Sequence, residues 1–281
     1  MTERPILVLG ATGSTGRRVA ALLRAAGHPV RAASRGGETR FDWTRPDTWR
    51  PALDGVSKMY LMAPHEQPVD PAFVACAVER GVQRIVLLSS AAIEAMGDER
   101  LMAAERTVRD SGTAWTILRP SWFDQNFDEG IFREAVMAGE LALPLGDLRQ
   151  AFVDADDIAA VAVAALTTTG HAGRRYELTG PAALSFAEAV AIVARAAGRP
   201  VRFLGTDEAY LDAQEAMGRS RAEAAGEVEA FAMLRKLGDE RPGDVVRRVT
   251  GRAPGSFEAY AAAAAARGAW RDRAAAGSRG T

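Results

Sequence analysis

Residues 6–27 read ILVLGATGSTGRRVAALLRAAG. The continuous apolar run Ile6 to Leu9 has the character of a strand buried on both faces. From Ser14 onward Val19, Leu22, Leu23 and Ala26 supply the apolar face of a helix, and Gly27 ends it. Between strand and helix lies GATGSTG, with glycines at 10, 13 and 16. A glycine loop at such a junction lets the backbone approach a pyrophosphate, whose charge the helix dipole and the first N–H groups stabilise. Gly10 suits the tight turn, Gly13 the close approach and Gly16 the packing of helix on strand. Thr12, Ser14 and Thr15 fill out the same cradle. The spacing is Gly-x-x-Gly-x-x-Gly, one residue away from the commonest dinucleotide fingerprint, so the loop's position in the chain carries as much weight as its glycines.

That position is the first of a series. PVRAAS, KMYLMAP, QRIVLLSS and AWTILRPS read as further strands, with RFDW as a short one; PDTWRPALDG, DPAFVACAVERG and ERLMAAERTVRDSG read as helices between them. Strands alternating with helices predict an α/β fold, a doubly wound parallel sheet that binds ligands at the carboxyl ends of its strands. Beyond residue 121 the rhythm changes, with helical stretches in DEGIFREAVMAGEL, DADDIAAVAVAALTTTG, SFAEAVAIVARAAGRP, DEAYLDAQEAMG, EVEAFAMLRKLG, GDVVRRVTG and SFEAYAAAAAARGAW, and strands in RRYELTG and VRFL. We expect a nucleotide-binding domain over residues 1–150, and over 151–281 the last elements of its sheet with a smaller, mostly helical substrate-binding cap. The final residues, RDRAAAGSRGT, read as a frayed tail.

Composition narrows the partners. Lys and Arg number 35 against 36 Asp and Glu, so no broad basic field exists for nucleic acid or an anionic membrane. Cys76 is the only cysteine, which excludes an internal disulfide, and His28, His65 and His171 lie in unrelated segments, so no metal site is expected. Asp154, Asp156 and Asp157 in VDADDIA head a helix, where acidic residues cap N–H groups and complement the dipole. No apolar run approaches the ~20 residues of a membrane span. The start of the chain does not read as a signal peptide, and a cytoplasmic enzyme, with a homo-oligomer left open, is the expectation.

The second strand ends in SRGG, without the acidic residue that would bind an adenosine ribose diol. Ser34 and Arg35 suit a 2'-phosphate instead, since a guanidinium forms a charge-assisted fork with it. NADP(H) is therefore favoured over NAD(H).

VLGATGSTGRRV, LLSS, ERTVRDSGTAWTILRPSWFDQNF, AFVDADDIAAVAVAAL and YELTGPAALSFAEAVAIVARAAGRPV, in that order, resemble the NmrA-like, atypical branch of the short-chain dehydrogenase/reductases. The resemblance implies a Rossmann domain with a small substrate-binding domain, NAD(P) at Gly10, Gly13 and Gly16, and a nicotinamide near the ends of the fourth and fifth strands. The wider superfamily carries Tyr-x-x-x-Lys on the helix after the fifth strand, and many NmrA-like proteins keep a basic residue three before the position of Glu105. This chain has Met102 there and neither Tyr nor Lys in the segment.

Two explanations stay open: a redox-sensing binding protein that has lost catalysis, or a reductase whose substrate takes hydride without a strong acid. An epimerase is a weaker third. A quinone or polyketide-like aromatic fits the second case, because the hydroquinone anion is delocalised and solvent completes protonation; a reduced quinone reacting onward with oxygen would make this a tailoring step coupled to hydroxylation. Ser90, His65 and Asn126 are the candidate catalytic residues. Ala63, Pro64 and Ser89 are expected to wall the cofactor, and Trp122, Phe123 and Asn126 to contact a planar substrate.

Overall fold

A computed structural model describes residues 3–64 and 67–271. His65 and the tail expected beyond Arg271 lie outside the described residues. The chain divides into two compact units. The first comprises Met1–Ser121, Ala155–Thr179 and Gly243–Pro254; the second comprises Trp122–Asp154, Gly180–Pro242 and Gly255–Thr281.

The first unit is built on a parallel sheet. Its strands are β1 (Ile6–Leu9), β2 (Val30–Ser34), β3 (Thr39–Arg40), β4 (Lys58–Met62), β5 (Arg84–Leu88) and β6 (Ala114–Pro120). After β7 (Glu140–Ala142) and β8 (Arg149–Gln150), which belong to the second unit, β9 (Arg174–Leu178) returns to the sheet's edge. The order is β3-β2-β1-β4-β5-β6-β9, every pairing parallel. The order reverses between β1 and β4, the switch point where such sheets open a crevice at their carboxyl edge.

Alternation decides how the two faces are filled. Leu7, Leu9, Met59, Leu61, Ile85, Leu87 and Ile117 are buried in one cluster with residues of α2 (Trp49–Leu53), α3 (Pro71–Glu79) and α4 (Glu99–Arg109). The opposite face, including Tyr60, receives α1 (Ser14–Ala25) and α6 (Ala155–Thr167), which pack on each other. α1 buries Val19 and Leu23 as expected, but the buried stripe runs through Ala20, and Leu22 and Ala26, expected on the same face, are exposed. α3 starts where Asp70 accepts from the Ala72 N–H and Pro71 occupies the first turn, a position that needs no N–H. α10 (Val245–Thr250) completes the unit against α6 and β9.

The second unit contains α5 (Arg133–Ala138), α7 (Phe186–Ala197), α8 (Asp207–Ala216), α9 (Arg221–Leu237) and α11 (Phe257–Ala266). Two short strand pairs accompany them: β8 with β10 (Leu184–Ser185), antiparallel, and β7 with β11 (Arg202–Leu204), parallel. Its core is aromatic. Phe127 meets the rings of Phe132, Phe152, Phe186 and Phe257 at centroid distances of 5.2, 5.8, 6.3 and 5.4 Å. α7 opens with the capping box its sequence predicts, Ser185 and Glu188 each serving the other's backbone N–H.

Two segments fold differently from the expectation. In RFDW only Arg40 is strand; β3 stays in register with β2 for two residues, after which Asp42 accepts from the Thr44 N–H and turns the chain. Phe41 and Trp43 then pack edge-on against Phe73, at 5.2 and 5.0 Å. In DEGIFREAVMAGEL the helix covers only Arg133–Ala138, because Gly139 adopts φ +87° and the next three residues pair with β11.

Candidate active site

The glycine loop lies at the carboxyl end of β1, beside the switch point. Gly10 holds φ +64°, and the Gly13 N–H donates back to its carbonyl at 2.9 Å, closing a tight turn. Gly16 packs so close that a Cβ there would stand 2.2 Å from the Gly10 oxygen. The helix cap is Gly13, which has no side chain to bind the first-turn N–H groups, and no acidic residue lies in that turn. This is the form an anion-accepting helix start takes. Ser14 accepts from Arg18 Nη1 through its carbonyl and hydroxyl oxygens, and Arg18 Nε pairs with Asp156 at 2.7 Å, tying α1 to α6. Thr12 is exposed at the loop tip.

Thr15 serves the fold from inside the loop. The Tyr60 hydroxyl, fully buried on β4, donates to Thr15 Oγ1 at 2.9 Å. Burial pushes the Tyr60 phenol far above its ordinary range, the Thr15 bond offsetting only part of this, so it stays protonated. Tyr60→Phe removes one buried hydrogen bond, and we expect a loss of about 1 kcal/mol in urea unfolding with the slope unchanged.

At the end of β2, Ser34 is 9% exposed and its hydroxyl has no hydrogen-bond partner among the described residues. Buried hydroxyls ordinarily have one. An orphaned donor-acceptor at this strand end fits a nucleotide's adenosine ribose or its 2'-phosphate. Together with the uncapped helix start and the space that glycine alone leaves at Gly16, it fits the chain's own residues to a dinucleotide.

Ala63 and Pro64 are buried at the end of β4, and the Pro64 carbonyl accepts from Arg100 Nη1 at 2.7 Å. Ser89, expected beside the cofactor, and Ser90, the catalytic candidate, differ in their hydrogen bonding. The Ser89 hydroxyl donates to Glu105 Oε1 at 2.7 Å; with its proton committed to a carboxylate, it offers only lone pairs to a ligand. Ser90 is half-buried, and its hydroxyl makes no hydrogen bond among the described residues, so it alone of the pair retains a donor. Immediately downstream Ala92 takes a left-handed φ of +53°, uncommon for a residue with a side chain.

Sequence reasoning missed the network behind these serines. Glu105 on α4 is 1% exposed and Arg119 on β6 is 4% exposed. Arg119 forks onto Glu105 at 2.6 and 2.8 Å and onto Glu94 at 3.0 and 2.7 Å. Arg109 adds a further bond to Glu105 at 2.6 Å. Burial works against the Arg119 charge, but the two carboxylates outweigh it and hold the guanidinium protonated above its usual range. Met102, where a basic residue was expected, packs against the hydrophobic core. The signal was present: Leu101, Ala104, Glu105 and Val108 form one helical stripe, which puts Glu105 at an inward position.

Trp122, Phe123 and Asn126 lie in the second unit. Trp122 packs against Phe132 and Phe186 at 5.7 and 5.4 Å, Phe123 bridges to Val153, and the Asn126 carbonyl accepts from the Phe132 N–H at 2.8 Å. All three are half-buried. In VDADDIA, Asp156 and Asp157 occupy the first turn of α6; Asp157 pairs with Arg252 at 3.5 Å, and Asp154 accepts from Gln125 at 2.9 Å. Among the described residues no group of carboxylates, histidines and cysteine is arranged to hold a metal, and no helix is long and apolar enough to cross a membrane.

The parallel sheet and its glycine loop define a nucleotide-binding Rossmann protein, and comparison with known proteins makes the class specific. Residues 10–169 match the family described as NAD(P)H-binding. An NAD(P)H azoreductase of Xenophilus azovorans is 37% identical over 286 residues, covering 93% of this chain and 98% of its own. A (4-alkanoyl-5-oxo-2,5-dihydrofuran-3-yl)methyl phosphate reductase of Streptomyces griseus is 40% identical over 227 residues, covering 73% of this chain and 78% of its own. The fold is shared with the NADPH-dependent quinone oxidoreductase QOR2 of Escherichia coli, at a TM-score of 0.74 and 23% identity, covering 92% of this chain and 98% of that one. The chain belongs to the NAD(P)H-binding family of oxidoreductases.

Proposed function

We propose that this oxidoreductase reduces a flat, electron-poor aromatic compound, a quinone being the best fit, and prefers NADPH. One observation carries the reading: α4 offers the site no proton donor. Met102 faces the core, and Glu105 is held by Arg119, Arg109 and Ser89. A substrate reduced here must therefore accept hydride without being protonated by a strong acid in the same step. A quinone meets that condition, since the added electron pair is delocalised onto oxygen and water supplies the proton afterwards. An azo group conjugated to electron-poor rings is the nearest alternative, and the azoreductase relative supports it. An isolated ketone does not meet the condition.

The bound cofactor supplies the hydride; the chain's own residues position and select. The loop of Gly10, Gly13 and Gly16 holds the pyrophosphate, and Ser34 with Arg35 the 2'-phosphate. Ser89 accepts from a cofactor hydroxyl or amide, and Ser90 donates to the substrate carbonyl. Trp122, Phe123 and Asn126 are the proposed substrate contacts. The match to the NAD(P)H-binding family, which begins at Gly10, supports the cofactor role of the loop.

The test follows oxidation of NADPH with a panel of quinones, azo dyes and simple ketones. We expect turnover with quinones, none with ketones, and a kcat that stays flat from about pH 6 to about pH 8, because no protein acid near pH 7 limits the step. Ketone reduction, or a kcat that falls away across that range, overturns the reading; the second result would point to His65, whose ordinary pKa is about 6.5.

A further inference from the structure

The turn between β2 and β3 brings more than Ser34 and Arg35 to the sheet's edge. Ser34 pairs in register with Arg40, and register partners on neighbouring parallel strands direct their side chains to the same face. The segment between them is tight. The Phe41 N–H donates to the Ser34 carbonyl at 3.0 Å, and a Cβ on Gly37 would stand 2.6 Å from Ser34 Oγ. Arg35 and Arg40 are both exposed, and neither guanidinium makes a hydrogen bond or ion pair among the described residues. Three carboxylates lie near them in the chain, and Asp47, which feels the Arg40 charge, is engaged through both oxygens by Arg45 at 3.1 Å. Asp42 feels both guanidinium charges, but its Oδ1 is engaged by the Thr44 N–H and hydroxyl at 2.9 and 2.8 Å. Glu38 is exposed on the turn and pairs with neither arginine. Two cations thus stand beside a buried, unpartnered hydroxyl with no counterion drawn onto them.

We propose that Arg40 is a second guanidinium of the cofactor's 2'-phosphate site, acting with Arg35 and with the hydroxyl of Ser34. The assignment rests on the NADPH preference proposed above and goes beyond it in placing half of the selectivity on β3, outside the segment from which that preference was read. Arg40 approaches from β3 and Arg35 from the turn that follows β2, so a phosphate dianion beside the Ser34 hydroxyl is held by two cations from different segments. A ribose with a free 2'-hydroxyl carries no charge there and gains nothing from Arg40.

The test is calorimetric titration of the intact protein with NADP+ and NAD+, which reads binding apart from turnover. We expect the wild type to prefer NADP+. Arg40→Ala should weaken NADP+ roughly tenfold, the scale of one exposed charge-assisted bond, and shift NAD+ less than about twofold. Arg40→Lys should fall between, because an ammonium keeps the charge and loses the fork. The NADP+ preference should also shrink below about pH 6, where a phosphate monoester loses its second charge, and should shrink less in Arg40→Ala. Equal losses for both nucleotides, or no loss for either, overturn the Arg40 assignment alone if the wild type and Arg35→Ala still behave as an NADP+ site requires. A wild type that binds the two nucleotides equally overturns the NADPH reading and this assignment together.

Discussion

Glu105→Ala is expected to destabilise the protein by about 3–5 kcal/mol, the cost of removing one partner from a buried ion pair. The substitution deletes a side chain that is 1% exposed and leaves Arg119, 4% exposed, with Glu94 alone. Arg109 loses its carboxylate, and the Ser89 hydroxyl loses the acceptor for its proton. β5, β6 and α4 are all tied through this one group, so the loss should appear in global unfolding as a lower urea midpoint. The pair's net contribution is a different quantity from the cost of breaking it. Glu105→Leu combined with Arg119→Met should cost less than the sum of the single changes, because it removes both buried charges while Glu94, which is 57% exposed in its side chain, returns to water. A single-substitution loss under about 1 kcal/mol would mean that the network is solvated and does not hold the strand ends in place.

The network also shows what the sequence could and could not convey. The glycine loop, the strand rhythm to residue 120 and the place of Ser34 follow from local rules: an apolar run, a glycine junction, a strand end without an acid. The partnership of Glu105 with Arg119 does not, although each residue carries a local sign. Glu105 breaks an apolar helical stripe and Arg119 interrupts an apolar strand; only the parallel pairing of β5 with β6 and the packing of α4 over both bring them together. The strands of the second unit were harder still. β11 was legible in VRFL, but β7, β8 and β10 are two or three residues long, too short for alternation to show, and exist because tertiary folding supplies a partner. Arg40 escaped notice for the same reason. Its register with Ser34 is set by a two-residue ladder, and its lack of counterions is visible only once Asp42 is seen to be occupied by Thr44. A helix's periodicity reveals that it has a face to bury and leaves open what covers it; thus α6, read from sequence together with the later helices, packs on β4, β5 and β6 of the first sheet.

Gly16→Ala should nearly abolish cofactor binding, against what helix propensity alone predicts. Alanine is favoured over glycine in a helix by about 1 kcal/mol, and Gly16 lies in the first turn of α1. Sterics decide the other way. The added Cβ would lie 2.2 Å from the Gly10 oxygen and 2.7 Å from its carbonyl carbon, both backbone atoms that cannot rotate aside. Relief requires the loop to lift from the helix, which breaks the Gly13 to Gly10 bond at 2.9 Å and pulls on the Ala11 to Ala33 bond at 3.2 Å. The N–H groups aimed at the pyrophosphate then move with it. Losing two charge-assisted bonds of about 1.5 kcal/mol or more each corresponds to about a hundredfold in affinity, read by titration with NADP+. Two other glycines grade the explanation. Gly13→Ala meets the Gly10 oxygen at 3.3 Å, a contact that a small shift relieves, and should lose less. Gly27→Ala has nothing within 4 Å of its Cβ but must hold φ +81°, so it should cost about 1–2 kcal/mol of stability and leave NADP+ affinity unchanged. If all three variants lost affinity in proportion to their stability, the loop would be a fold element alone; the expected order, Gly16 far ahead of Gly13 and Gly27 without effect, separates the cradle from the helix that carries it.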